Sequence, residues 1–540
     1  MHLIRRWLEA AVPAATAGIL VFCLTCGPVT AQGNLRIGMT STEVPLTSGQ
    51  PDNGLEGYRF MGLLLYDALI GWDMTATDKP AGLVPGLAES WDVDKADRTK
   101  WTFKLRPGVK FHDGSDFNAD AVIFNMDRLF DEKSPQYSAR MAALTTFRVP
   151  AYKSVRKIDD STVEFTTKSP DATWPYQISY ILMASPKQWE ATGKDWGKFA
   201  QAPSGTGPWK LGSLKARELA ELLPNKEYWE AARIPKLDKL TLLPIPDAGA
   251  RASALLAGQV DWIEAPAPEA LQRIAAGPFK IVSNRYPHVW SWQFNRVEGS
   301  PLNDVRVRKA LNLAIDRKGI VAMLGGYALE AVGQVPKGDP WFGSPAFDIR
   351  TDAQAATRLL AEAGYGPEKP LKIKMLIPPS GSGEMMPLAI NEHIQQSLKA
   401  VNVDVSFEVV EWQGLLDLWR AGAKAPQVKG ANGINIALTT QDPFSAFARQ
   451  LRSDLVPPAG GNFGYYSDPE MDKLLADAQM SFDVELRDMA LTKAHTKMVD
   501  DALFLWVVHD VGPRAMSIKV KGFVPARSWF QNLSSVTMDK

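Results

Sequence analysis

The chain has 540 residues, too many for a single hydrophobic core, so its length predicts two or three domains. Its composition is that of an ordinary globular protein, with 45% hydrophobic and 22% charged residues. The formal net charge is zero, which argues against a general nucleic-acid-binding protein, because such a protein needs a basic face.

The first thirty residues differ from the rest of the chain. Arg5-Arg6 precede an uncharged stretch from Ala10 to Gln32, and Val29-Thr30-Ala31 has small residues where a signal peptidase cleaves. We therefore expect a cleaved secretory signal peptide over residues 1–31. An uncleaved anchor is the alternative, because the uncharged stretch approaches the ~20 residues that span a bilayer. Both cysteines lie in this segment, so the mature chain would have no thiol nucleophile and no cysteine-ligated metal.

The mature chain begins with a predicted strand at Leu35–Met39 and a predicted helix at Leu55–Ile70, which is apolar at helical spacing. A β-hairpin is predicted next. Apolar and polar residues alternate over Trp101–Leu105 and again over Val109–His112, and the turn-forming Pro107-Gly108 lies between them. The two segments would then be neighbours in one sheet.

Two polar motifs follow the predicted hairpin. Asn118 precedes a segment with one apolar face, which predicts a helix capped by this asparagine. Ser204–Trp209 is a glycine-rich turn, but a phosphate-binding loop would open a helix with Lys and Ser or Thr. Here Pro208-Trp209 lead into an apolar run, so the turn is predicted to be a tight crossing between domains.

The second half of the chain contains a predicted α/β unit. Val289–Asn295 is a predicted strand. Leu371–Leu376, Leu388–Leu398 and Val403–Val409 follow as strand, helix and strand, an order that predicts a parallel pair. Phe504–Val508 is an apolar run that predicts a buried strand near the C-terminus.

Three motifs together resemble the peptide/nickel class of bacterial solute-binding proteins, family 5 of the extracellular solute binders. The first is G-L-A-x-S-W followed by W-T-F-x-L-R-x-G-V-K-F-H-D-G, at 86–114. The second is G-T-G-P-W at 205–209, and the third is F-N…P-L-x-D-x-R-V-R-K-A-L-N-x-A-I-D-R at 294–317. Segments similar to the family extend from about Glu43 to Arg527.

The resemblance implies an α/β architecture: a two-lobed, hinged periplasmic-binding-protein fold with an additional inserted α+β domain. Carried over to this chain, lobe I would hold residues 32–71, 199–280 and 503–540. The inserted domain II would hold 72–198, and lobe III would hold 281–502.

The resemblance also implies a function. The chain would be the periplasmic solute-binding component of an ABC transporter, a monomer that captures a peptide or peptide-like small solute between its lobes. It would deliver that ligand to the transmembrane permease subunits by hinge closure, with no cofactor, no nucleic acid and no covalent chemistry.

Several alternatives stay open. The same fold could bind a non-peptide solute, namely an opine-type conjugate, a glycoside or a metal chelate, or it could act as a chaperone-like binder of extended peptides. A periplasmic hydrolase is the rival class, but G-x-S-x-G and H-E-x-x-H do not occur. The five histidines of the mature chain show no clustered pair at metal-ligand spacing, so no metal site is expected.

One departure from the family bears on the ligand. In peptide-binding members a buried acid in W-x-x-D-x-x-[DE]-P-x-x-F anchors the peptide ammonium, and Thr439 occupies that position here. A neutral threonine cannot offset the desolvation of an ammonium, which costs several kcal/mol. Either Glu43 or Asp442 takes the role, or the ligand has no free amino terminus. Gln441 lies beside Asp442 and completes the polar set, although Asp442 is equally a candidate turn or N-cap residue.

Aromatic residues complete the predicted ligand-binding set. Trp412 matches a tryptophan that lines the cleft in the family. Trp290 and Trp292 share one face of a strand and could stack on a ligand, although such residues are more often core. Trp506 and His509 would face opposite sides of the last strand, and His509 is a candidate polar contact with a satisfied surface histidine as its alternative.

Overall fold

A computed structural model describes residues 33–52, 54–380 and 383–539 of the chain. The predicted signal peptide, residues 1–31, lies outside the described residues. Within them, strands and helices alternate along the whole chain, and three main sheets form, as expected for a mixed α/β protein.

The strands of the described chain are named in chain order: β1 (Asn34–Met39), β2 (Ile70–Trp72), β3 (Leu83–Pro85), β4 (Ala88–Val93), β5 (Lys100–Leu105), β6 (Tyr152–Asp159), β7 (Thr162–Thr167), β8 (Trp209–Lys215), β9 (Leu219–Pro224), β10 (Lys239–Pro244), β11 (Trp262–Glu264), β12 (Phe279–Val282), β13 (His288–Phe294), β14 (Ala328–Glu330), β15 (Leu371–Ile377), β16 (Val403–Val409), β17 (Gly433–Thr439), β18 (Phe504–Asp510), β19 (Arg514–Ser517), β20 (Val520–Lys521) and β21 (Thr537–Met538).

The α-helices are named in the same way: α1 (Gly54–Gly57), α2 (Leu63–Leu65), α3 (Ala119–Phe130), α4 (Ala139–Thr145), α5 (Trp174–Ile178), α6 (Pro186–Ala191), α7 (Trp196–Gln201), α8 (Ala248–Leu256), α9 (Leu271–Ala275), α10 (Val305–Ala314), α11 (Arg317–Met323), α12 (Ala353–Glu362), α13 (Pro387–Lys399), α14 (Trp412–Ala421), α15 (Arg449–Leu451), α16 (Pro469–Met480) and α17 (Val484–Asp500). Tyr58–Gly62 and Phe444–Ala448 are π-helical turns.

The first large sheet has seven strands in the order β12-β19-β11-β1-β10-β9-β8. The central strand, β1, pairs in parallel with both β10 and β11. Leu35, Ile37 and Met39 of this strand are completely buried in one hydrophobic cluster. Because β19 comes from the C-terminal part of the chain, the sheet is complete only when that segment returns to it.

The second large sheet has six strands in the order β14-β18-β13-β17-β15-β16. β15 and β16 are parallel and are joined through α13, which confirms the predicted parallel unit. All seven residues of β13 are buried, because hydrophobic clusters cover both of its faces. β18 pairs with β13 here, whereas the sequence-based division assigned residues 503–510 to lobe I.

Two connections join the large sheets in the described chain. The first is 283–287, between β12 and β13, and the second is 511–513, between β18 and β19. They lie side by side, because the Asn284 amide donates to the Val511 carbonyl and the Tyr286 amide to the Asp510 carbonyl, each at 3.0 Å. We call these two connections the crossing segments.

The predicted hairpin is wrong in its second strand. Trp101–Leu105 is a strand, but β4 and β7 occupy its two edges in a four-stranded antiparallel sheet of order β4-β5-β7-β6. No edge is left for Val109–His112, which instead forms an isolated antiparallel bridge between Lys110 and Asp116, and the Phe111 amide donates to the Ser115 carbonyl at 2.8 Å. Val109 and Phe111 are buried nevertheless, so the apolar alternation reports burial rather than strand pairing.

The helix predicted at Leu55–Ile70 ends early, at Leu65. Tyr66 is extended, and the Asp67 carboxylate accepts hydrogen bonds from Thr206, Tyr228 and Trp229, each at 2.9 Å. The apolar spacing alone would continue the helix to Ile70, but tertiary contacts with residues such as Thr206 of the glycine-rich turn favour an extended backbone after Leu65.

Replacement of Gly205 tests this contact. A β-carbon there would clash with the Leu65 carbonyl oxygen and the Tyr66 ring, so Gly205→Ala should lower the free energy of unfolding by about 1–3 kcal/mol or more. Gly82→Ala is the matched control, because a β-carbon at Gly82 has no neighbour within 4 Å. Urea denaturation measures both, and equal stability of the two variants would contradict the proposed close packing.

Candidate functional site

A cavity of about 70 Å³ lies between elements of the two large sheets. From the side of the seven-stranded sheet, α1 and Trp529 line it, and from the side of the six-stranded sheet, α14 and β17 do. The loop residues Phe147 and Arg148 come from the region of the four-stranded sheet, and Arg449 closes the wall. We call this space the arginine cavity.

Two of the sequence-predicted residues line the arginine cavity. Trp412 is the first residue of α14, whose N-terminus is capped by the Glu411 carboxylate, which accepts from the Gln413 amide at 2.8 Å. Its indole Nε1 is buried and has no partner among the described residues. Thr439 ends β17, and its hydroxyl donates to the Pro287 carbonyl at 3.4 Å. The structure thus brings Trp412 and Thr439 to one wall.

Asp442 and Gln441 lie just beyond this wall, and their side chains are engaged elsewhere. Asp442 Oδ1 accepts from the Ser445 amide at 2.8 Å, and Oδ2 accepts from the Tyr180 hydroxyl at 3.3 Å. Burial raises the pKa of this carboxyl. Gln441 Oε1 accepts from the Ser528 hydroxyl at 2.7 Å. Asp442 therefore stabilises the helical turn that follows it, which was the alternative that the sequence left open.

Three predicted aromatic contacts lie in the core instead. Trp290, Trp292 and Trp506 are at most 1% exposed. Trp292 Nε1 donates to Asn391 Oδ1 at 2.8 Å, and Trp506 Nε1 donates to Gln334 Oε1 at 3.1 Å. Because their strands are covered on both faces, these rings do not reach the arginine cavity.

His509 and Glu43 also lie away from the cavity wall. His509 is buried in β18, and burial lowers its pKa to about 3, so the imidazole is neutral at ordinary pH. Glu43 is half-buried in the loop after β1. Burial, with a contribution from the charge of Glu43, raises the pKa of the nearby Asp52 to about 6.

The sequence analysis missed the residues that give the cavity its charge: Arg148, Arg420 and Arg449. Arg148 and Arg449 are 7% and 5% exposed, and neither forms an ion pair with a carboxylate of the described chain. Burial, together with the charge of Arg148, lowers the pKa of Arg449 to about 10. Arg420 Nη1 donates to Asp417 at 3.0 Å. No local pattern in the sequence marks these arginines, because they come from three separate elements: the 3-10 turn Thr146–Arg148, α14 and α15.

One carboxylate, that of Glu56, belongs to the same wall. It is already neutralised, because Arg59 Nη2 donates to it at 2.6 Å and the Thr40 hydroxyl also donates to it. The arginine cavity therefore offers a positive, aromatic-lined space that is suited to an anion.

A second cavity, of about 540 Å³, is lined by residues between 246 and 269 on one side and by 379–380 and 384–389 on the other. Glu384 lines it and accepts from Asn435 Nδ2 at 3.2 Å. Burial raises the pKa of Glu384 to about 8.

Membrane-spanning helices and metal-binding clusters of side chains are both absent from the described residues. No helix there is long and apolar enough to cross a membrane. Nor do three histidine, cysteine, aspartate or glutamate side chains come close enough together to hold a metal ion.

Known proteins similar to this chain place it in a family. Residues 82–448 match bacterial extracellular solute-binding proteins, family 5 Middle. Heme-binding protein A of Haemophilus influenzae is 28% identical over 88% of this chain and 87% of its own. A glutathione-binding protein of Pectobacterium atrosepticum is 28% identical over 97% of this chain and 96% of its own.

A solved structure shows the fold. The dipeptide-binding protein of Pseudoalteromonas sp. SM9913, in complex with Met-Leu, superposes with a TM-score of 0.80 at 23% identity, over 94% of this chain and 100% of that chain. This likeness confirms the predicted two-lobed periplasmic-binding-protein fold. With a family match over most of its length, the chain belongs to family 5 of the bacterial extracellular solute-binding proteins.

Proposed function

We propose that the chain is the periplasmic solute-binding component of an ABC importer. It captures a peptide or peptide-like small solute in the arginine cavity and delivers it, as a monomer, to the transmembrane permease subunits. The observation that carries the proposal is the position of the cavity, which is walled by elements of both large sheets. A ligand there touches both lobes and favours the closed state over the open one.

The crossing segments are the proposed hinge. His288 lines the cavity and directly follows the first crossing segment, so rotation about these segments would open the wall. We propose lobe I as 32–71, 199–282 and 511–540, the inserted domain as 72–198, and lobe III as 283–510. The boundary at 511, rather than 503, follows the sheet to which β18 belongs.

Within this proposal, Trp412 and Thr439 contact the ligand and Trp290, Trp292 and Trp506 support the fold. Native mass spectrometry of protein purified without denaturation should detect one small solute per chain, because closed lobes retain ligand. Incubation with that solute should leave it unchanged, whereas turnover to products would favour the hydrolase alternative.

Replacement of Trp412 tests the site itself. Trp412→Ala removes an aromatic wall and should weaken binding of the retained solute by about tenfold, as truncation of a central aromatic contact commonly does. Trp91→Ala, at a partly exposed tryptophan on β4, is the control and should bind as the wild type does. Isothermal titration calorimetry measures both, and unchanged affinity in Trp412→Ala would place the ligand elsewhere.

A further inference from the structure

The arginine cavity presents unused hydrogen-bond donors. The Nε atoms of Arg148, Arg420 and Arg449 are buried and have no acceptor among the described residues. The indole N–H groups of Trp412 and Trp529 are also buried and also have no acceptor among the described residues. Buried donors without acceptors are unusual in proteins, so five of them around one space indicate that an acceptor enters it.

The acceptors on the wall are already used. Glu56 accepts from Arg59, as described above, and the Thr439 hydroxyl oxygen accepts from the Gln441 amide at 3.4 Å. The charge of Asp442 acts on Arg449, but its two oxygens accept from Ser445 and Tyr180. No residue of the cavity wall therefore supplies an acceptor for the buried Nε donors of the three arginines.

Arg317 shows how a buried arginine outside the cavity is satisfied. It is as deeply buried, but it donates to the Trp506 carbonyl, the Asn312 carbonyl and the Asn312 amide oxygen at 2.8–3.1 Å. Arg128 forms no ion pair in the described chain, and its Nε and Nη1 have no acceptor there, but its Nη2 donates to the Ser48 hydroxyl at 2.8 Å. The side chain of Arg148 forms no hydrogen bond in the described chain. Its guanidinium carbon Cζ lies 5.0–5.4 Å from the centroids of three aromatic rings, those of Tyr58, Phe147 and Tyr180.

We infer that the ligand is a small solute with at least two carboxylates, bound by Arg148 and Arg449, and that no free ammonium is required at Thr439. The inference rests on the proposed function and names its ligand class. A carboxylate accepts two parallel hydrogen bonds from a guanidinium, and apolar parts of the ligand would contact Trp412 and Trp529. An ammonium at Thr439 would be repelled by the arginines, and the one carboxylate on this wall, that of Glu56, is already paired with Arg59.

The first test examines the solute that the protein retains. The solute is released from natively purified protein, and its carboxylates are counted from the mass shift on esterification. Two or more carboxylates support the inference. One carboxylate or none overturns it while leaving the proposed function in place, because a bound solute is still present.

The second test uses defined probes with protein that has been unfolded and refolded to remove solute. N-acetyl-Glu-Glu carries three carboxylates and no ammonium, N-acetyl-Gln-Gln amide is its neutral counterpart, and Lys-Lys is the cationic dipeptide. N-acetyl-Glu-Glu should bind at least tenfold more tightly than either of the others, as expected when charged hydrogen bonds are lost. Calorimetric titration measures all three.

Variants identify the residues responsible. Arg148→Gln and Arg449→Gln should each weaken N-acetyl-Glu-Glu binding by about tenfold to a hundredfold, and Arg148→Lys by less. Arg296→Gln, at a partly buried arginine outside the cavity, should bind as the wild type does. The unfolding temperature of each ligand-free variant verifies folding, and it should not fall, since an uncompensated buried charge has been removed.

The outcomes separate the two proposals. Equal binding of the anionic, neutral and cationic probes, or unchanged affinity in both glutamine variants, overturns the dicarboxylate inference alone. Failure of all three probes together with no retained solute overturns the proposed function as well. A fall in unfolding temperature in both glutamine variants would instead assign these arginines a structural role and overturn the inference.

Discussion

Replacement of Arg59 by methionine should lower the free energy of unfolding by about 3–5 kcal/mol, because it leaves the buried Glu56 carboxylate without its counter-ion and removes one of the two arginines that pair with Glu264. Arg59 bridges two glutamates, with Nη2 2.6 Å from Glu56 and Nη1 3.0 Å from Glu264. Arg514 Nε is 3.0 Å from the other oxygen of Glu264. Because methionine keeps most of the volume of the arginine side chain, the loss in free energy of unfolding reports the missing charge rather than a packing defect.

The control is a similar ion pair at the surface. Arg36 lies 2.8 Å from Asp261, and its side chain is 36% exposed. Arg36→Met should cost about 1 kcal/mol or less, since water solvates the charges when the pair is broken. Chemical denaturation of both variants gives the comparison, and equal losses would mean that burial is not what makes the Arg59 pairs important.

Replacement of Arg59 would also change the charge on the wall of the arginine cavity. Glu56 lines that cavity, and without Arg59 its carboxylate would keep only the Thr40 hydroxyl. A free negative charge would then compete with an anionic ligand for Arg148. The buried pair thus holds the one acid of the wall in neutralised form, which links the stability of lobe I to the charge of the binding space.

Local patterns predicted those elements whose residues determine their own conformation. Val403–Val409 is a strand as predicted, and Asn118 caps its helix by accepting from the Ala121 amide. Alternation at Val109–His112 failed for a non-local reason, because β4 and β7 already occupied both edges of β5. Period-two burial and strand pairing are separate properties, and sequence reports mainly the first.

The binding site was predictable only where it coincides with a family motif. Trp412 and Thr439 could be placed because each lies at a position that matches a family motif, whereas Trp290 and Trp292 could not be told from core residues until both faces of β13 were seen. Arg148 has no local signature. Its charge matters because folding buries it without a partner, and that property exists only in three dimensions.

Glu384 should make the stability of the protein fall as the pH rises from about 5 to 8. The folded carboxyl holds its proton up to a pKa of about 8, mainly because of burial, while the unfolded one releases it near the ordinary value of 4.5. Between these values the folded state binds more protons, so each pH unit costs up to about 1.4 kcal/mol. The sign is opposite to that of a salt-bridged acid, whose folded pKa is lowered.

Glu384→Gln removes this dependence while keeping a side chain of the same shape beside Asn435. The variant should equal the wild type in free energy of unfolding near pH 5 and exceed it by a few kcal/mol at pH 8, as urea denaturation at a series of pH values would show. Glu269→Gln, on the wall of the same cavity, controls for the loss of a carboxyl there. Parallel pH profiles for wild type and Glu384→Gln would mean that this carboxyl is ionised in the folded protein.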